Sequence, residues 1–208
     1  MRRAYGRGQL EESELESTWL AQLTRWLEQA VRAGGPEPNA MVLATAARDG
    51  TPSARTVLLK TLDERGLAFY TNLSSRKGCE LAANPRAALV FAWVALQRQV
   101  TVEGCVEALG GEESDAYFAS RPHGARLAAL ASPQSQVLDS RAQLDRAYAE
   151  LSERHSEGTD VPRPHWWGGL RVVPARVEFW QGRTNRLHDR LRYRRANSGA
   201  WVIERLAP

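Results

Sequence analysis

Four basic side chains bracket one predicted hairpin and the turn that follows it. They are Arg55, Lys60, Arg76 and Lys77. Just before the last two, Ser74 or Ser75 can cap the N-terminus of a short helix that ends near Ala83. A helix start with free N–H groups, hydroxyls and nearby cations is well suited to bind a phosphate or a carboxylate. Any one of these cations alone is better explained as a solvated surface charge, but the group favours an anion site.

Two predicted strands must position these cations. Within residues 55–60, Thr56 is β-branched and residues 57–59 are apolar, which predicts a strand buried on both faces. Residues 63–66 carry turn chemistry, because Gly66 can adopt positive φ. Residues 67–71 are then predicted to be the return strand of the same hairpin.

A second polar group follows a later apolar strand that ends at Trp180. Beyond it, Arg186, His188 and Arg190 alternate along the chain, so they would share one face if the segment is extended. Three cationic or titratable groups beside an aromatic ring are unusual for a solvated strand, which predicts a role in a site. His188 taken alone would more often be structural.

Composition narrows the class of protein. The chain has 208 residues, of which 43% are hydrophobic and 25% charged, as expected for a globular domain. The net charge of +4 mildly favours an anionic partner. Basic residues are scattered among acidic ones, so a small phosphorylated ligand is expected rather than nucleic acid.

The cysteines and the hydropathy pattern point to the cytoplasm. Cys79 and Cys105 have no metal-binding partners at a suitable spacing and form no disulfide framework, so no metal site is expected. A reducing compartment is therefore the default. The N-terminus lacks an apolar signal segment and no run reaches membrane-spanning length, so a soluble cytoplasmic protein without a membrane partner is predicted.

Residues 1–13 are polar and predict a flexible arm, and residues 14–208 predict one domain. The domain begins with an amphipathic helix from Trp19 to Val31, for which Ser13 and Glu16 offer a capping box. Gly104 predicts a bulge in a long strand. Short turns connect the remaining strands, which favours an antiparallel α+β fold: a small barrel with peripheral helices. The predicted elements are strands at 40–47, 52–60, 67–71, 87–94, 98–109, 172–180, 191–195 and 200–206, and helices at 112–121 and 140–154.

Several segments together resemble the pyridoxamine 5'-phosphate oxidase family. They occur in the family's order across nearly the whole chain, and any one alone would be a weak signal. They are Asn39–Thr45, Arg55–Lys60, Phe69–Asn72, Ser75–Gly78, Arg98–Val100, Tyr117–Pro122, Trp167–Gly169, Glu178–Gly182, Arg186–Arg190 and Glu204–Pro208. The resemblance implies a split antiparallel β-barrel that binds FMN at the interface of a homodimer.

The resemblance also implies roles for individual residues. The flavin contacts would be Arg55, Thr56, Val57, Leu58, Leu59, Lys60, Tyr70, Thr71, Arg76, Lys77, Gln99, Gln134, Ser135, Trp180 and Arg190. The substrate contacts would be Lys60, Tyr117, Arg121, Ala125, Arg186, Leu187, His188 and, from the arm, Arg2, Arg3 and Tyr5. Arg186 and His188 would lie over the substrate ring and take part in catalysis.

Three departures from the family pattern bear on the substrate. Ala125 stands where the family commonly has a serine that helps to hold the substrate phosphate. Residues 128–130 replace a Gly-Ala-Trp stretch, and Pro133 precedes the predicted contact Gln134. One lost hydroxyl donor is worth on the order of 0.5–1.5 kcal/mol. Weaker binding is therefore expected, and an altered substrate remains open.

The expected reaction is oxidation of pyridoxamine 5'-phosphate or pyridoxine 5'-phosphate to pyridoxal 5'-phosphate, with hydride transfer from C4' to flavin N5 and reoxidation by dioxygen to give hydrogen peroxide. One alternative is a related flavin oxidase of the phenazine-biosynthesis type. Another is a non-enzymatic protein that binds FMN or pyridoxal phosphate. Nucleic-acid binding ranks far below these, and the absence of a Gly-x-Gly-x-x-Gly segment argues against a nicotinamide cofactor.

Overall fold

The computed structural model describes residue 6 and residues 8–208. The predicted substrate contacts Arg2, Arg3 and Tyr5 lie outside the described residues. Leu10 is only 3% exposed and packs in the core, close to the predicted end of the arm. The division of the chain at residue 13 stays a prediction.

Within this part of the chain, nine strands form a single sheet and five α-helices lie around it. The strands are β1 (Ala40–Ala46), β2 (Pro52–Leu58), β3 (Thr61–Asp63), β4 (Gly66–Asn72), β5 (Arg86–Trp93), β6 (Arg98–Ala108), β7 (Trp167–Gln181), β8 (Asp189–Arg195) and β9 (Trp201–Arg205). The helices are α1 (Trp19–Arg32), α2 (Arg76–Ala83), α3 (Gly111–Ser120), α4 (His123–Ala131) and α5 (Arg141–Arg154).

All strand pairs are antiparallel, in the order β2-β1-β5-β6-β7-β4-β3, with β8 and β9 added along the second half of β7. The predicted α+β split antiparallel barrel is confirmed. The long strand β7 organises it, because its first half pairs with β4, where Thr71 faces Gly168, and its second half pairs with β8, where Trp180 faces Arg190. Two separate regions of the surface are therefore built on the two ends of one strand.

Helix α1 closes the core of the barrel. Its apolar face is buried, and Trp26 packs edge-on against Phe179 with the ring centroids 5.2 Å apart. The predicted capping box of Ser13 and Glu16 is wrong. Thr18 caps the helix instead, accepting a hydrogen bond from the Ala21 N–H at 3.1 Å, because Ser13 belongs to a separate 3₁₀ turn.

The predicted hairpin between residues 55–60 and 67–71 is also wrong. Strand β2 pairs with β1, and the short strand β3 is the hairpin partner of β4. Strand β2 is not buried on both faces either, because it is an edge strand of the sheet with half-exposed side chains. A second hairpin, predicted between residues 40–47 and 52–60 from the turn signal Asp49-Gly50, is confirmed by the pairing of β1 with β2.

Two glycines show why parts of the sheet approach each other so closely. The predicted bulge at Gly104 is confirmed by a shift in register after Glu103, and a Cβ at Gly104 would lie 2.0 Å from the Val173 carbonyl oxygen. At Gly169, a Cβ would lie 2.7 Å from the Tyr70 ring. Strand β7 begins at Trp167, earlier than the predicted strand, which began at residue 172.

No helix in the described part of the chain is long and apolar enough to cross a membrane. The cytoplasmic location stays a prediction.

Candidate active site

A cavity of about 1150 Å³ lies between the edge of the sheet and helices α2 to α5. Its walls bring together cofactor and substrate contacts predicted from distant segments of the sequence. These are Arg55, Thr56, Val57, Leu58, Lys60, Tyr70, Thr71, Arg76, Lys77, Tyr117, Arg121, Gln134 and Ser135. All four basic residues that bracket the predicted hairpin are among them.

Lys77 occupies the first turn of α2, on the cavity wall. Ser75, one of the two predicted candidates, caps this helix, and its side chain accepts from the backbone N–H of Gly78. The Lys77 Nζ is mostly buried and lies 2.8 Å from Gln134 Oε1 and 3.2 Å from Thr71 Oγ1. Burial lowers the pKa of Lys77, and the nearby charge of Arg55 lowers it further. Within the described residues it has no carboxylate partner, so it offers its charge to a ligand.

Glu80 lies behind this group and fixes two arginines. Its Oε2 accepts hydrogen bonds from Thr45 at 2.5 Å and Ser53 at 2.6 Å, and lies 3.3 Å from Arg55. Its Oε1 accepts from Arg76 Nε at 2.8 Å. Burial alone would raise the pKa of Glu80, but these hydrogen bonds outweigh it and lower the pKa to about 2. The carboxylate is therefore ionised, and it orients both guanidinium groups at the cavity wall.

A layer of aromatic rings forms a neighbouring part of the cavity. Tyr70 and Tyr117 stack with centroids 3.9 Å apart and planes 14° from parallel. Trp167 stacks on Tyr70 at 5.5 Å. Gly169 has no side chain, which leaves room for the Tyr70 ring. The layer presents flat apolar faces next to the cations.

Two cations lie against this aromatic layer. The guanidinium carbon of Arg121 is 5.0 Å from the centroid of Trp167, and the Lys60 ammonium is 5.9 Å from that of Tyr117. The Nη1 atom of Arg121 is buried and has no hydrogen-bond partner in the described part of the chain. A buried charged nitrogen without a partner is costly unless a ligand supplies one. Burial lowers the pKa of Arg121, but an arginine stays protonated.

Two of the predicted contacts from nearby segments do not line this cavity. Leu59 is 6% exposed and packs in the core, because its side chain points to the opposite side of the chain from its neighbours. Ala125 lies one turn before the lining residues Ala128 and Ala129 on α4. The proposed flavin contact at Leu59 would therefore have to come from its backbone.

The remaining predicted residues form a second group, on the far half of β7. Gln99 pairs with Trp180 across β6 and β7, and Arg190 pairs with Trp180 on the other side. The ring of His188 lies 4.7 Å from that of Trp180. Arg190 donates to both carboxylate oxygens of Glu178, at 2.7 and 3.0 Å, which raises its pKa. None of these residues lines the cavity.

The prediction that Arg186, His188 and Arg190 share the face of an extended segment is wrong. Residues 184–186 form a 3₁₀ turn, and Asn185 and Arg186 have left-handed backbones with φ of 56° and 63°. The turn is closed by the Leu187 N–H bonding to the Thr184 carbonyl. Left-handed conformations cost energy for residues other than glycine and are concentrated at functional sites. Leu187 is 70% exposed.

The described part of the predicted arm runs beside this second group. The Gly6 N–H donates to Gln97 Oε1 at 3.0 Å, and the Leu10 N–H donates to Asp189 Oδ2 at 3.0 Å. Arg205 holds the same aspartate through a 3.0 Å ion pair. The described residues of the arm therefore lie close to residues 183–190.

Some cavity residues were missed by sequence reasoning. Helix α5 contributes a stripe with helical spacing, at Arg141, Leu144, Asp145 and Tyr148. This spacing was the available signal, but a mixed polar stripe is typical of any solvated helix. Glu80 was missed too, although it lies one helical turn after Arg76.

The chain matches two family models that together span most of its length. Residues 27–155 match the model described as pyridoxamine 5'-phosphate oxidase. Residues 167–208 match the model described as the pyridoxine 5'-phosphate oxidase C-terminal dimerisation region.

Curated relatives and solved structures agree with these matches. Pyridoxine/pyridoxamine 5'-phosphate oxidases from Rubrobacter xylanophilus and Salinispora arenicola are 58% and 57% identical, covering 100% and 96% of this chain and 95% and 90% of theirs. PhzG from Burkholderia lata, solved with tetrahydrophenazine-1-carboxylic acid, is 33% identical with a TM-score of 0.90, covering 98% of this chain and all of its own. An FMN-binding protein from Nostoc punctiforme, 16% identical with a TM-score of 0.73 and covering 93% of this chain and all of its own, shares the fold.

Proposed function

Because the chain belongs to the pyridoxamine 5'-phosphate oxidase family, a family of flavin-dependent oxidoreductases, we propose that it oxidises pyridoxamine 5'-phosphate or pyridoxine 5'-phosphate to pyridoxal 5'-phosphate with FMN. Dioxygen is the proposed electron acceptor and hydrogen peroxide a second product; with the amine substrate, one water is taken up and the nitrogen leaves as ammonia. The observation that carries the proposal is the buried, unpartnered Nη1 of Arg121 in a cavity that also holds a second, separate group of cations.

The group around Lys77 fits the phosphate of FMN. Arg55, Arg76 and Lys77 supply three positive charges and Glu80 one negative charge, which leaves two positive charges on the cavity wall. A phosphate monoester carries about −1.5 to −2 at pH 7, so the charges match. The Lys77 ammonium donates hydrogen bonds to the side-chain oxygens of Gln134 and Thr71. A bound phosphate would replace these neutral acceptors or share the ammonium with them.

The substrate phosphate is assigned to the group around Arg121. Arg121 can bind two phosphate oxygens with its planar guanidinium, Lys60 supplies a compact second charge and Tyr117 supplies a phenol donor. Lys60 forms no ion pair within the described residues, so its charge is also available to a ligand. Two cations match the negative charge of a phosphate ester, which an unphosphorylated substrate lacks.

When bound, FMN supplies a two-electron acceptor for the hydride from C4', which dioxygen regenerates with release of hydrogen peroxide. The residues of the chain bind and orient. Holding each of two ligands by its phosphate fixes their relative position and reduces the entropy cost of bringing the reacting atoms together. The stacked rings of Tyr70 and Tyr117 place an apolar surface beside Lys60.

The second group would complete the site from another subunit. Gly168 and Trp180 lie roughly 40 Å apart along β7, at about 3.3 Å per residue. Within one chain the cavity and the second group are therefore far apart. The simplest way to bring them together is for the cavity of one subunit to face the second group of another. The C-terminal segment matches a dimerisation region, which supports a homodimer with FMN at its interface.

In that arrangement Arg186 and His188 would face the substrate ring. Arg186 stays protonated, so it cannot act as a base, and its charge would offset the negative charge that develops on reduction. His188 Nδ1 accepts a hydrogen bond from the Arg183 N–H at 3.0 Å. In the neutral ring the proton is then on Nε2, so this nitrogen is a donor that can orient the substrate.

A second candidate function is oxidation of a reduced phenazine carboxylate. It is favoured by the likeness to PhzG from Burkholderia lata, which is 33% identical with a TM-score of 0.90. Such a substrate has a carboxylate but no phosphate ester. The pair of cations at Arg121 and Lys60 therefore favours the first function.

Peroxide production separates the two functions. FMN-loaded protein is given, in turn, pyridoxine 5'-phosphate, pyridoxine and a dihydrophenazine carboxylate. A large preference for the phosphorylated vitamer is expected. Equal rates with pyridoxine, or a preference for the dihydrophenazine, would reject the proposal, and binding without any turnover would favour a carrier.

A further inference from the structure

The hydroxyl of Tyr148 reaches from α5 to the first turn of α4. A Cβ built on Gly124 would lie 3.0 Å from this hydroxyl oxygen, which is closer than an ordinary van der Waals contact, so a larger residue would push the hydroxyl back by a few tenths of an ångström. Glycine at position 124 therefore allows the hydroxyl to approach α4 this closely. Tyr148 is otherwise partly exposed, at 38%.

Tyr148 belongs to the same cavity as the cations around Arg121. Both residues are part of its lining, together with Lys60 and Tyr117. Gly124 follows Arg121 by three residues, so the hydroxyl lies beside the segment that carries the unpartnered Nη1. Helix α4 starts at His123, which places the positive end of its dipole at the same location.

The Tyr148 hydroxyl forms no hydrogen bond with any described residue, although the side chain is held between two helices. The Ser152 hydroxyl donates a hydrogen bond to the backbone carbonyl of Tyr148 and not to its phenol. A phenol is both a donor and an acceptor, so it can donate to an anion. Because Tyr148 lines the cavity, its hydroxyl is placed to reach a ligand bound there.

We infer that Tyr148 is a substrate-binding residue whose hydroxyl donates a hydrogen bond to the phosphate held by Arg121 and Lys60, and that Gly124 is the residue that permits this contact. The inference rests on the proposed function, because it assigns a further donor to the substrate phosphate. It would also supply, from α5, a hydroxyl donor next to α4, which has alanine at position 125 and no hydroxyl side chain of its own.

The test uses Tyr148→Phe in the FMN-loaded protein, which removes one oxygen and leaves the ring. We expect the KM for pyridoxine 5'-phosphate to rise roughly three- to tenfold with kcat little changed, as for loss of one hydrogen bond to an anion. The kinetics with unphosphorylated pyridoxine should not change. Inorganic phosphate should inhibit the variant less strongly than the parent.

Gly124→Ala provides an independent test, because the added methyl would shift the hydroxyl. It should raise the same KM in the parent and have little further effect in Tyr148→Phe, since the oxygen it would touch is already gone. Additive effects of the two substitutions would contradict the inferred contact.

Arg121→Met distinguishes failure of the inference from failure of the proposed function. If Arg121→Met raises the KM for the phosphorylated substrate and Tyr148→Phe does not, the inference is overturned and the proposed function stands. If neither changes it, or the parent does not prefer the phosphorylated substrate, both are overturned.

Discussion

The guanidinium of Arg55 lies 3.3 Å from the carboxylate of Glu80, and this ion pair connects β2 to α2 at the back of the cavity. The Glu80 side chain is 7% exposed and also binds Arg76. A buried carboxylate that binds two cations determines where their charges point.

Glu80→Ala should weaken FMN binding about tenfold or more. Arg55 and Arg76 would lose the acceptor that orients them, and a charge-assisted hydrogen bond is worth about 1.5–3 kcal/mol. Quenching of flavin fluorescence on titration with the apoprotein measures the affinity. Glu150→Ala is the matched control, because Glu150 pairs with Arg154 at 3.4 Å on the exposed side of α5 and should leave the affinity unchanged. Equal affinities for Glu80→Ala and the parent would show that the pair has no role in orienting the cations.

Acid should reduce the stability difference between the parent and Glu80→Gln. The pKa of Glu80 is lowered in the folded state to about 2, below its usual value of 4.5. A carboxylate with a depressed pKa contributes stability above its unfolded pKa and loses that contribution as pH falls through the folded value. The difference in unfolding free energy, measured with urea at several pH values, should therefore shrink between about pH 4.5 and 2. A difference that stays constant across that window would rule out the ionised state of Glu80 as its source.

FMN affinity should decline at alkaline pH because of Lys77. Its pKa lies below the usual 10.5, first because the ammonium is buried and second because Arg55 is near. Binding of a phosphate needs the charged form, so affinity should fall as pH rises through the lowered pKa. In the same titrations, Lys77→Met should bind FMN more weakly at every pH and show a flatter profile. Lys77→Arg keeps a charge that does not titrate in this range and is the control. An equally steep decline in Lys77→Arg would assign the pH effect to another group.

Arg171 should contribute strongly to the stability of the wall that carries Tyr117. Its side chain is 5% exposed and lies 3.3 Å from Glu107 on β6 and 3.2 Å from Glu113 in the first turn of α3. Removing one partner of such a cluster leaves like charges together. Because its partners are partly exposed, we expect Arg171→Met to lower the unfolding free energy by about 1–3 kcal/mol. Denaturant unfolding measures this loss.

Arg176 supplies the control for Arg171. It forms a similar cross-strand pair with Glu103, at 2.9 Å, but both side chains are about half exposed. Exposed pairs contribute about 0–1 kcal/mol. Arg176→Met should therefore be nearly neutral. A loss equal to that of Arg171→Met would mean that burial does not set the difference.

Much of the fold could be predicted because its signals are local. Alternating apolar residues and short turns located the strands that became β1, β5 and β6 to within a few residues, and Ser75 marked the start of α2. Strand pairing depends on tertiary contacts, so the partner of β4 was not accessible from the sequence. Helix α4 was missed because Pro122 and Gly124 are typical of loops, and its stability comes from packing against α5.

Some features of the candidate site could likewise be predicted from the sequence, and others could not. Residue types and spacing predicted the cations of the cavity, because a cluster of charges beside a capped helix has a direct chemical meaning. The left-handed turn at Arg186 was not predictable, since no local preference favours that conformation in an arginine. Tyr148 and Gly124 come together only because α4 and α5 pack against each other.

The central claim is that this cavity brings a phosphorylated B6 vitamer to FMN. Its most direct test is the visible absorbance of the FMN-loaded protein on anaerobic addition of pyridoxamine 5'-phosphate. The account predicts that the flavin band is bleached, that it returns when dioxygen is admitted, and that pyridoxal 5'-phosphate and hydrogen peroxide form in equal amounts. A band that stays oxidised with the phosphorylated vitamer present in excess, or one bleached equally well by pyridoxamine, would contradict it.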